Sequence, residues 1–418
     1  MSETKTLKQY SADVIVCGGG VAGLPAALAA AREGMRVIVV EKGARIGGAP
    51  VNNLIQCFCG RPFHGICLEL IRKMKALSQD YMYGFEPRSQ TKNCFRTGDY
   101  VVAWRQMLAG LPIQIFTEQE VKRAVLRADG GIERVETDTA AFQGKAYIDA
   151  TGDAALAALT ACKLAMGREA RSQYGEPFAP EKADGAVQRC TLMYVLRRRR
   201  ENEYGPAPNW AEYSNEEYLM WGPTVVVKNP LDAEEMSEAT QKAYDLFLEQ
   251  QKEWEEKGFF VADVAPRLGV RETRRIVGNH VLNARELLNG VRFPDAVTVV
   301  RDTAIDPWDP DGNPFHDQDK QEACLLKPYE IPYASMVTDA VPNMVVAGRC
   351  ISATHIVNSS LRVMPLCMAT GQAAGIAASI ASAAEGNALK IDVRLLREKL
   401  TEAGVRVSAD SGKDMFEG

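Results

Sequence analysis

The chain has 418 residues, of which 46% are hydrophobic and 25% are charged, and this composition is typical of a soluble globular protein. Because 418 residues exceed one ordinary hydrophobic core, we expect two domains. The formal net charge of −5 argues against a nucleic-acid partner and against an anionic membrane surface, since both bind basic faces.

The polar N-terminal stretch MSETKTLKQYSAD does not resemble a signal peptide. The weakly apolar run CMATGQAAGIAASIASAA is rich in small residues and lacks the bulky side chains of a membrane span. The ten cysteines form no regular disulfide framework, which favours reduced thiols. We therefore predict a cytoplasmic protein that contacts no membrane and no nucleic acid.

Two buried strands and a helix are predicted at the start of the chain. DVIVC at 13–17 and MRVIVVE at 35–41 read as strands, and a helix spans about residues 22–33 between them. Pro25 falls in the first turn of this helix, where its missing N–H costs little. The pattern is that of a βαβ unit with parallel strands and a right-handed crossover.

Three glycines at the first strand-to-helix turn have the spacing G-x-G-x-x-G. Gly18 permits the tight turn, Gly20 lets the backbone approach a pyrophosphate, and Gly23 lets the helix pack on the strand. Glu41 closes the second strand eighteen residues beyond Gly23, where a carboxylate accepts hydrogen bonds from both ribose hydroxyls. The turn predicts a dinucleotide site, but it does not separate NAD from FAD.

The remaining elements suggest that both chain ends build one domain. Residues 65–83 have a helical pattern, and short strands joined by turns follow up to the TGD segment. Tryptophan, proline and charge rise between about 162 and 330, where a long amphipathic helix starts at an Asp. MVVAGRC at 344–350 is again a buried strand, and an Ala/Gly-rich helix begins near Pro365.

Later segments resemble known flavoproteins. YIDATGDAALAAL at 147–159 resembles the second strand–turn signature of the glutathione-reductase type of FAD domain. The segments RETRRIVG, YEIPYASM and NMVVAGRCISATHIVNSSLRVMPLCMATGQAAG are similar, in this order, to the family of FAD-dependent oxidoreductases. The resemblance implies FAD and an α/β, Rossmann-like FAD-binding domain formed from residues 1–160 and 336–418, with an inserted α+β substrate domain at 161–335.

The resemblance also implies which residues hold FAD. Glu41 and Lys42 would meet the adenosine ribose, Val121 would present its backbone to adenine, and Arg349 stands where wider flavoproteins have an Asp. The helix near Pro365 would point its N-terminal amides at the flavin and so favour the anionic reduced form. The residues predicted to bind FAD are Gly18, Gly20, Val21, Ala22, Gly23, Glu41, Lys42, Arg45, Gly47, Gly48, Ala49, Val121, Ala150, Thr151, Gly152, Asp153, Gly348, Arg349, Pro365, Cys367 and Met368.

Three side chains are candidates for the chemistry. His355 lies in the loop before the C-terminal helix, which the family places over the flavin, and is a candidate for proton transfer or substrate orientation. A structural histidine is the alternative. His64 is a candidate for the other flavin face or for covalent attachment, and Arg362 is a candidate for a substrate carboxylate or the flavin carbonyl edge. Ser359 stands where fumarate-reductase-like relatives have an arginine, which argues against that reaction.

Other charged and thiol groups have structural explanations. Arg271, Arg274 and Arg275 favour a salt-bridge network between the domains over substrate binding, and the RRRR run at 197–200 favours a solvated turn. Pro50 stands where disulfide reductases carry their first redox cysteine, which favours ordinary thiols at Cys57 and Cys59 over a redox dithiol. We find no spacing typical of a zinc site and predict no metal.

We predict an FAD-dependent oxidoreductase that transfers a hydride between flavin N5 and a small organic substrate, by C–H or C–X oxidation or by C=C reduction. The alternatives are a flavoprotein that acts on or binds a macromolecule, as in tRNA modification or redox-responsive binding, and an FAD-binding fold without turnover. No second glycine fingerprint for a nicotinamide domain is present. A transient visit by NAD(P)H or another electron partner, and a homo-oligomer, are left open.

Overall fold

The computed structural model describes residues 6–60, 64–77, 94–198, 211–214, 217–301, 303–312 and 326–409, without the side chains of 211–214. The strands are β1 (Lys8–Ser11), β2 (Val14–Cys17), β3 (Val37–Val40), β4 (Ile113–Phe116), β5 (Arg123–Leu126), β6 (Ile132–Glu136), β7 (Ala140–Gln143), β8 (Ala146–Asp149), β9 (Leu164–Ala165), β10 (Cys190–Arg198), β11 (Ala211–Ser214), β12 (Glu217–Val225), β13 (Phe259–Val264), β14 (Arg275–Ile276), β15 (Ala296–Val300), β16 (Tyr329–Pro332) and β17 (Met344–Val346). The helices are α1 (Gly23–Arg32), α2 (Ala49–Asn52), α3 (Gly65–Leu77), α4 (Thr97–Leu108), α5 (Arg171–Tyr174), α6 (Ala233–Glu256), α7 (Ala284–Asn289), α8 (His355–Leu361), α9 (Met364–Ala383) and α10 (Val393–Glu402).

A five-stranded parallel sheet in the order β17–β8–β2–β3–β4 organises the part of the protein that both chain ends build. Strands β2, β3, β8 and β17 are fully buried, which explains their uninterrupted apolar sequences. Helix α1 connects β2 to β3 and completes the predicted βαβ unit. Because β17 comes from the C-terminal part of the chain and pairs with β8, the predicted Rossmann-like fold from both chain ends is confirmed.

Helices α1 and α9 approach closely because small residues line their contact. A Cβ on Gly371 would overlap the carbonyl oxygen of Ala22, and a Cβ on Gly375 would overlap that of Ala26. Among the described residues, α9 is the one helix long and apolar enough to cross a membrane, but 89% of its apolar window is buried inside the protein. This burial identifies α9 as a core helix.

A second, antiparallel sheet, β11–β12–β10–β13, has its own hydrophobic core and is covered by α6. Helix α6 is the long amphipathic helix predicted from the sequence, and Asp232 caps it by accepting hydrogen bonds from two backbone amides of its first turn. Strands β15 and β16 instead pack into the larger core of the parallel sheet. The predicted boundaries at residues 160 and 335 stay predictions.

The predicted helix at 65–83 is observed as α3 up to Leu77, and residues 78–83 lie outside the described residues. Of the RRRR run, Arg197 pairs with Glu217 and Arg198 lies over the ring of Phe259 at the end of β10. Arg199 and Arg200 lie outside the described residues.

Candidate functional site

The turn between β2 and α1 has no room for side chains at two of its glycines. Gly18 has a φ of +100°, and a Cβ on it would lie 2.5 Å from the carbonyl oxygen of Ala150. A Cβ on Gly23 would overlap the carbonyl oxygen of Gly18, so helix α1 starts directly against the turn. Around Gly20 a Cβ would meet only the Cα of Gly48, at 3.5 Å. The backbone at Gly20 is therefore open to an approaching ligand.

Glu41 fixes the glycine turn to the end of β3. Its Oε2 accepts a hydrogen bond of 2.7 Å from the amide of Gly19, and its Oε1 accepts one of 2.6 Å from the amide of Gly43. Each carboxylate oxygen has two lone pairs, so these bonds leave acceptor capacity for ribose hydroxyls. The carboxylate is held in one orientation at the point where a dinucleotide ribose is expected.

The second turn of the site, after β8, is organised by Asp149. This buried carboxylate accepts hydrogen bonds from the amide and hydroxyl of Thr151 and from the amide of Ala157, at 2.7–3.1 Å. Burial raises the pKa of Asp149 above its ordinary value, and these three donors oppose the rise. The turn brings Gly152 and Asp153 to the same edge of the sheet as the glycine turn.

Asp153 joins the two chain ends through Arg349, which follows β17. The guanidinium Nη2 of Arg349 lies 2.5 Å from Asp153 Oδ1, Thr273 donates a hydrogen bond of 2.9 Å to the same oxygen, and Lys42 Nζ lies 3.8 Å from Oδ2. Burial raises the pKa of Asp153, but the charges of Arg349 and Lys42 outweigh burial and hold the pKa below its usual value. Two cations thus flank one carboxylate beside the glycine turn.

A cavity of about 1820 Å³ extends from this edge to the antiparallel sheet. Ligand pockets for drug-sized molecules are roughly 300–1,000 Å³, so the cavity has room for a dinucleotide and a second molecule. Its wall combines the open backbone of Gly20, the N-terminus of α1 and the cations Lys42 and Arg349, a donor set that suits a pyrophosphate. The residues present therefore fit FAD.

Most residues predicted to bind FAD lie on the cavity wall. Gly23, Arg45, Gly47, Pro365 and Met368 do not. Gly23 is a packing glycine, Arg45 is exposed to solvent, and a Cβ on Gly47 would touch the Val51 side chain. The residues on the wall are Gly18, Gly20, Val21, Ala22, Glu41, Lys42, Gly48, Ala49, Val121, Ala150, Thr151, Gly152, Asp153, Gly348, Arg349 and Cys367.

Helix α9 begins at Met364, one residue before the predicted start. Met364 and Cys367, three residues apart and so on one face of the helix, line the cavity. Pro365 and Met368 are absent from the wall because each lies one position further around the helix. The N-terminus of α9 thus reaches the cavity, as the predicted dipole effect on a flavin requires.

Two of the candidates for the chemistry, His355 and His64, do not lie on the cavity wall. Their predicted roles stay predictions. His355 is buried between two carboxylates, with Nδ1 2.7 Å from Glu272 Oε2 and Nε2 2.8 Å from Asp309 Oδ1. Burial lowers its pKa, but both carboxylates outweigh burial and raise the pKa to about 9. His355 therefore fits the structural alternative, a core histidine that is charged at neutral pH. His64 is buried as well, with Nε2 3.3 Å from the hydroxyl of Thr298.

The three arginines after Gly269, which are Arg271, Arg274 and Arg275, lie in different surroundings. Arg275 is fully buried and forms ion pairs with Glu272 and Glu169, as the predicted salt-bridge network requires. Arg274 instead donates a hydrogen bond to the backbone carbonyl of Asp153. Arg271 forms no ion pair with any described residue and lies on the cavity wall. Arg271, which the sequence pattern assigned to a structural ion-pair network, thus lies on the wall of the cavity.

Arg271 and Arg362 lie on one stretch of the wall, together with Trp308 and Asp306. The guanidinium carbon of Arg271 lies 4.4 Å from the Trp308 ring centroid, and Arg362 donates from Nη2 to the backbone oxygen of Asp306 at 3.1 Å. Burial and the neighbouring charge of Arg362 lower the pKa of Arg271 to about 9. The predicted position of Arg362 at the ligand space is therefore supported by the cavity geometry.

Cys57 and Cys59 also line the cavity. The hydrogen bond with Cys57 and burial raise the pKa of the Cys59 thiol well above its usual range, so the thiolate is disfavoured at neutral pH. The nine cysteines in the described part of the chain are free thiols. Within the same ranges no group of three His, Cys, Asp or Glu side chains is arranged to hold a metal ion.

The wall opposite the glycine turn comes from residues that the sequence patterns did not single out. They belong to β10, β12, α6 and the segment after β13, which are distant in sequence from the glycine turn and are brought opposite it only by the fold. They include Thr191, Met193, Trp221, Met236, Tyr244 and Leu268.

Comparison with known proteins agrees with this geometry. The model of the family described as FAD dependent oxidoreductase matches residues 13–400. No curated protein matches the chain. Solved structures that it resembles include T. acidophilum thioredoxin reductase, at 19% identity over 33% of this chain and 34% of that chain, with a TM-score of 0.22. This chain therefore spans about a third of that relative.

Two further structures align over more of the chain. P. aeruginosa PqsL in complex with 2-aminobenzoylacetate is 12% identical over 94% of this chain and 91% of that chain, with a TM-score of 0.40. The myxobacterial chondrochloren halogenase CndH is 12% identical over 93% of this chain and 78% of that chain, with a TM-score of 0.42. These values are too low to support a reaction or a substrate. The family match spans nearly the whole chain, and with the cavity it shows that the protein belongs to the FAD dependent oxidoreductase family and is an enzyme that uses FAD.

Proposed function

We propose that the enzyme transfers a hydride between the N5 atom of the flavin and a small organic substrate, in a C–H or C–X oxidation or in the reverse C=C reduction. The observation that carries this proposal is the size and continuity of the cavity. It runs from the glycine turn to an aromatic and apolar wall on the antiparallel sheet and is larger than a single drug-sized ligand needs.

Bound FAD supplies a reversible acceptor of two electrons as hydride, which no protein side chain provides. The chain supplies binding, orientation and electrostatics. The Gly20 backbone and the α1 N-terminus bind the phosphates, and the α9 N-terminus favours negative charge at its end of the cavity by about 0.3–1 kcal/mol or more when partly buried. Trp221 and Tyr244 line the opposite side of the cavity with aromatic surface.

The test is anaerobic titration of the FAD-loaded protein with NADH, with NADPH and with a panel of small metabolites, followed by flavin absorbance. Bleaching by a metabolite alone supports a dehydrogenase or an oxidase, and bleaching by NADPH supports a reductase that a nicotinamide visits transiently. Dithionite is the control for an accessible flavin. A flavin that dithionite bleaches but no organic donor reduces, and that no organic acceptor reoxidises, contradicts the proposal.

The cytoplasmic location belongs to the same proposal. It is supported by the nine free thiols of the described residues, since reduced cysteines are typical of a reducing compartment. The measurement that checks the cytoplasmic location is whether these cysteines are still reduced in protein isolated from cytoplasmic fractions.

A further inference from the structure

Four side chains on the cavity wall form a connected group, which we call the arginine–tryptophan clamp: Arg271, Asp306, Trp308 and Arg362. Arg362 donates to Asp306, and the indole Nε1 of Trp308 donates a hydrogen bond of 3.0 Å to Asp306 Oδ2. The guanidinium carbon of Arg271 lies 4.4 Å from the centroid of the Trp308 ring. Arg362 is thereby held by an ion pair with Asp306, and Arg271 is held against the Trp308 ring without an ion pair to any described residue.

Both guanidiniums keep donors that the protein does not use. Arg271 donates only from Nη1, at 2.7 Å to the carbonyl of Arg189 and at 2.6 Å to the hydroxyl of Thr191. Arg362 donates from Nε to Gln188 at 3.1 Å and from Nη2 to Asp306. Within the described ranges, Nε and Nη2 of Arg271 and Nη1 of Arg362 have no hydrogen-bond partner.

The clamp also carries an excess of positive charge. Asp306 lies 3.4 Å from Arg362 Nη2, and its charge also acts on Arg271. Three other carboxylates line the wall. Asp153 pairs with Arg349 and Lys42, Glu41 accepts two backbone amides, and Glu120 interacts with the charge of Lys122. The clamp therefore holds two cations against one anion.

We propose that the clamp binds a carboxylate group of the substrate, with Arg271 and Arg362 as its two donors. A carboxylate is acceptor-only, has about four lone-pair sites and matches the planar fork of a guanidinium. It uses the unpaired donors of both arginines and completes the charge balance. The inference rests on the proposed function only in treating this anion as the substrate, because the binding itself is measured without turnover.

The test is isothermal titration calorimetry of the FAD-loaded protein with acetate, succinate and benzoate, and with the neutral isosteres acetamide, succinamide and benzamide. At least one carboxylate is expected to bind ten-fold or more tightly than its amide, and R271Q and R362Q are each expected to weaken it ten-fold or more. Retained FAD content shows that a variant is folded. R271K and R362K are measured beside them, and they recover only part of the affinity because an ammonium is not a planar fork.

R267Q is the matched control, because Arg267 also lines the cavity but is exposed and outside the clamp. It removes the same charge and is expected to change carboxylate affinity less than three-fold. Equal binding of carboxylates and amides, or equal loss in R267Q and R271Q, overturns the proposal. Tighter binding of phenyl phosphate than of benzoate overturns the choice of a carboxylate. Carboxylate binding to a protein whose flavin no organic donor reduces and no organic acceptor reoxidises leaves the inference standing and contradicts the proposed function instead.

Discussion

The buried ion cluster around His355 predicts a specific loss of stability at alkaline pH. The imidazole lies 2.7 Å from Glu272 and 2.8 Å from Asp309, and its pKa in the folded protein is about 9 against an ordinary 6.5. At 1.36 kcal/mol per pKa unit, this difference corresponds to about 3 kcal/mol. Because the pKa is raised on folding, this stabilisation is fully present below about pH 6.5 and is lost as the pH rises through about 9.

The assay is urea unfolding at fixed FAD concentration between about pH 6 and about pH 10, with the wild type compared with H355Q. We expect the free energy of unfolding of the wild type to fall across this window by an amount on the order of 3 kcal/mol more than that of H355Q, which has no imidazole to titrate. H280Q is the matched control, since His280 also faces a carboxylate, Glu286 at 3.1 Å, but is 30% exposed. Parallel pH profiles for the wild type and H355Q would refute the charged-histidine interpretation.

Two further predictions concern the glycine turn. In G23A the new methyl group overlaps the carbonyl oxygen of Gly18, so we expect FAD affinity to drop at least ten-fold in a flavin fluorescence titration. The control is G98A, whose methyl group meets nothing within 4 Å and which we expect to leave FAD affinity unchanged. Unaltered affinity in G23A would contradict the close packing of the turn. In E41Q one of the two carboxylate oxygens that accept the Gly19 and Gly43 amides is replaced by an NH2 group. Hydrogen bonds to a charged group are worth about 1.5–3 kcal/mol, so we expect weaker FAD binding and a lower thermal midpoint. A variant as stable as the wild type, with equal FAD affinity, would show that the Gly19 contact is dispensable.

The features that could be predicted from the sequence are those that local patterns determine. The glycine turn follows from three residues whose spacing and flanking strand are visible in one short segment, and the N-terminal Asp of α6 follows from capping preference. The burial of His355 could not be predicted in this way. Its partners Glu272 and Asp309 are far from it in the chain, and only the folded topology brings the three together.

Arg271 shows the same limit for the site. Its neighbours in sequence include Glu272, which made a structural ion pair the simpler expectation, but Glu272 points to Arg275 and His355 instead. The contact that places Arg271 on the cavity wall is with Trp308, on a distant segment. Long-range packing, which a single sequence does not reveal, therefore decides which arginine of a cluster lies on the cavity wall.

The most direct test of the account is the stoichiometry of FAD on the purified protein. After equilibration with FAD and removal of the excess, we expect about one flavin per chain by absorbance, with the wild type bound and G23A largely colourless. A folded wild-type protein that retains no flavin under these conditions would contradict the assignment of the cavity.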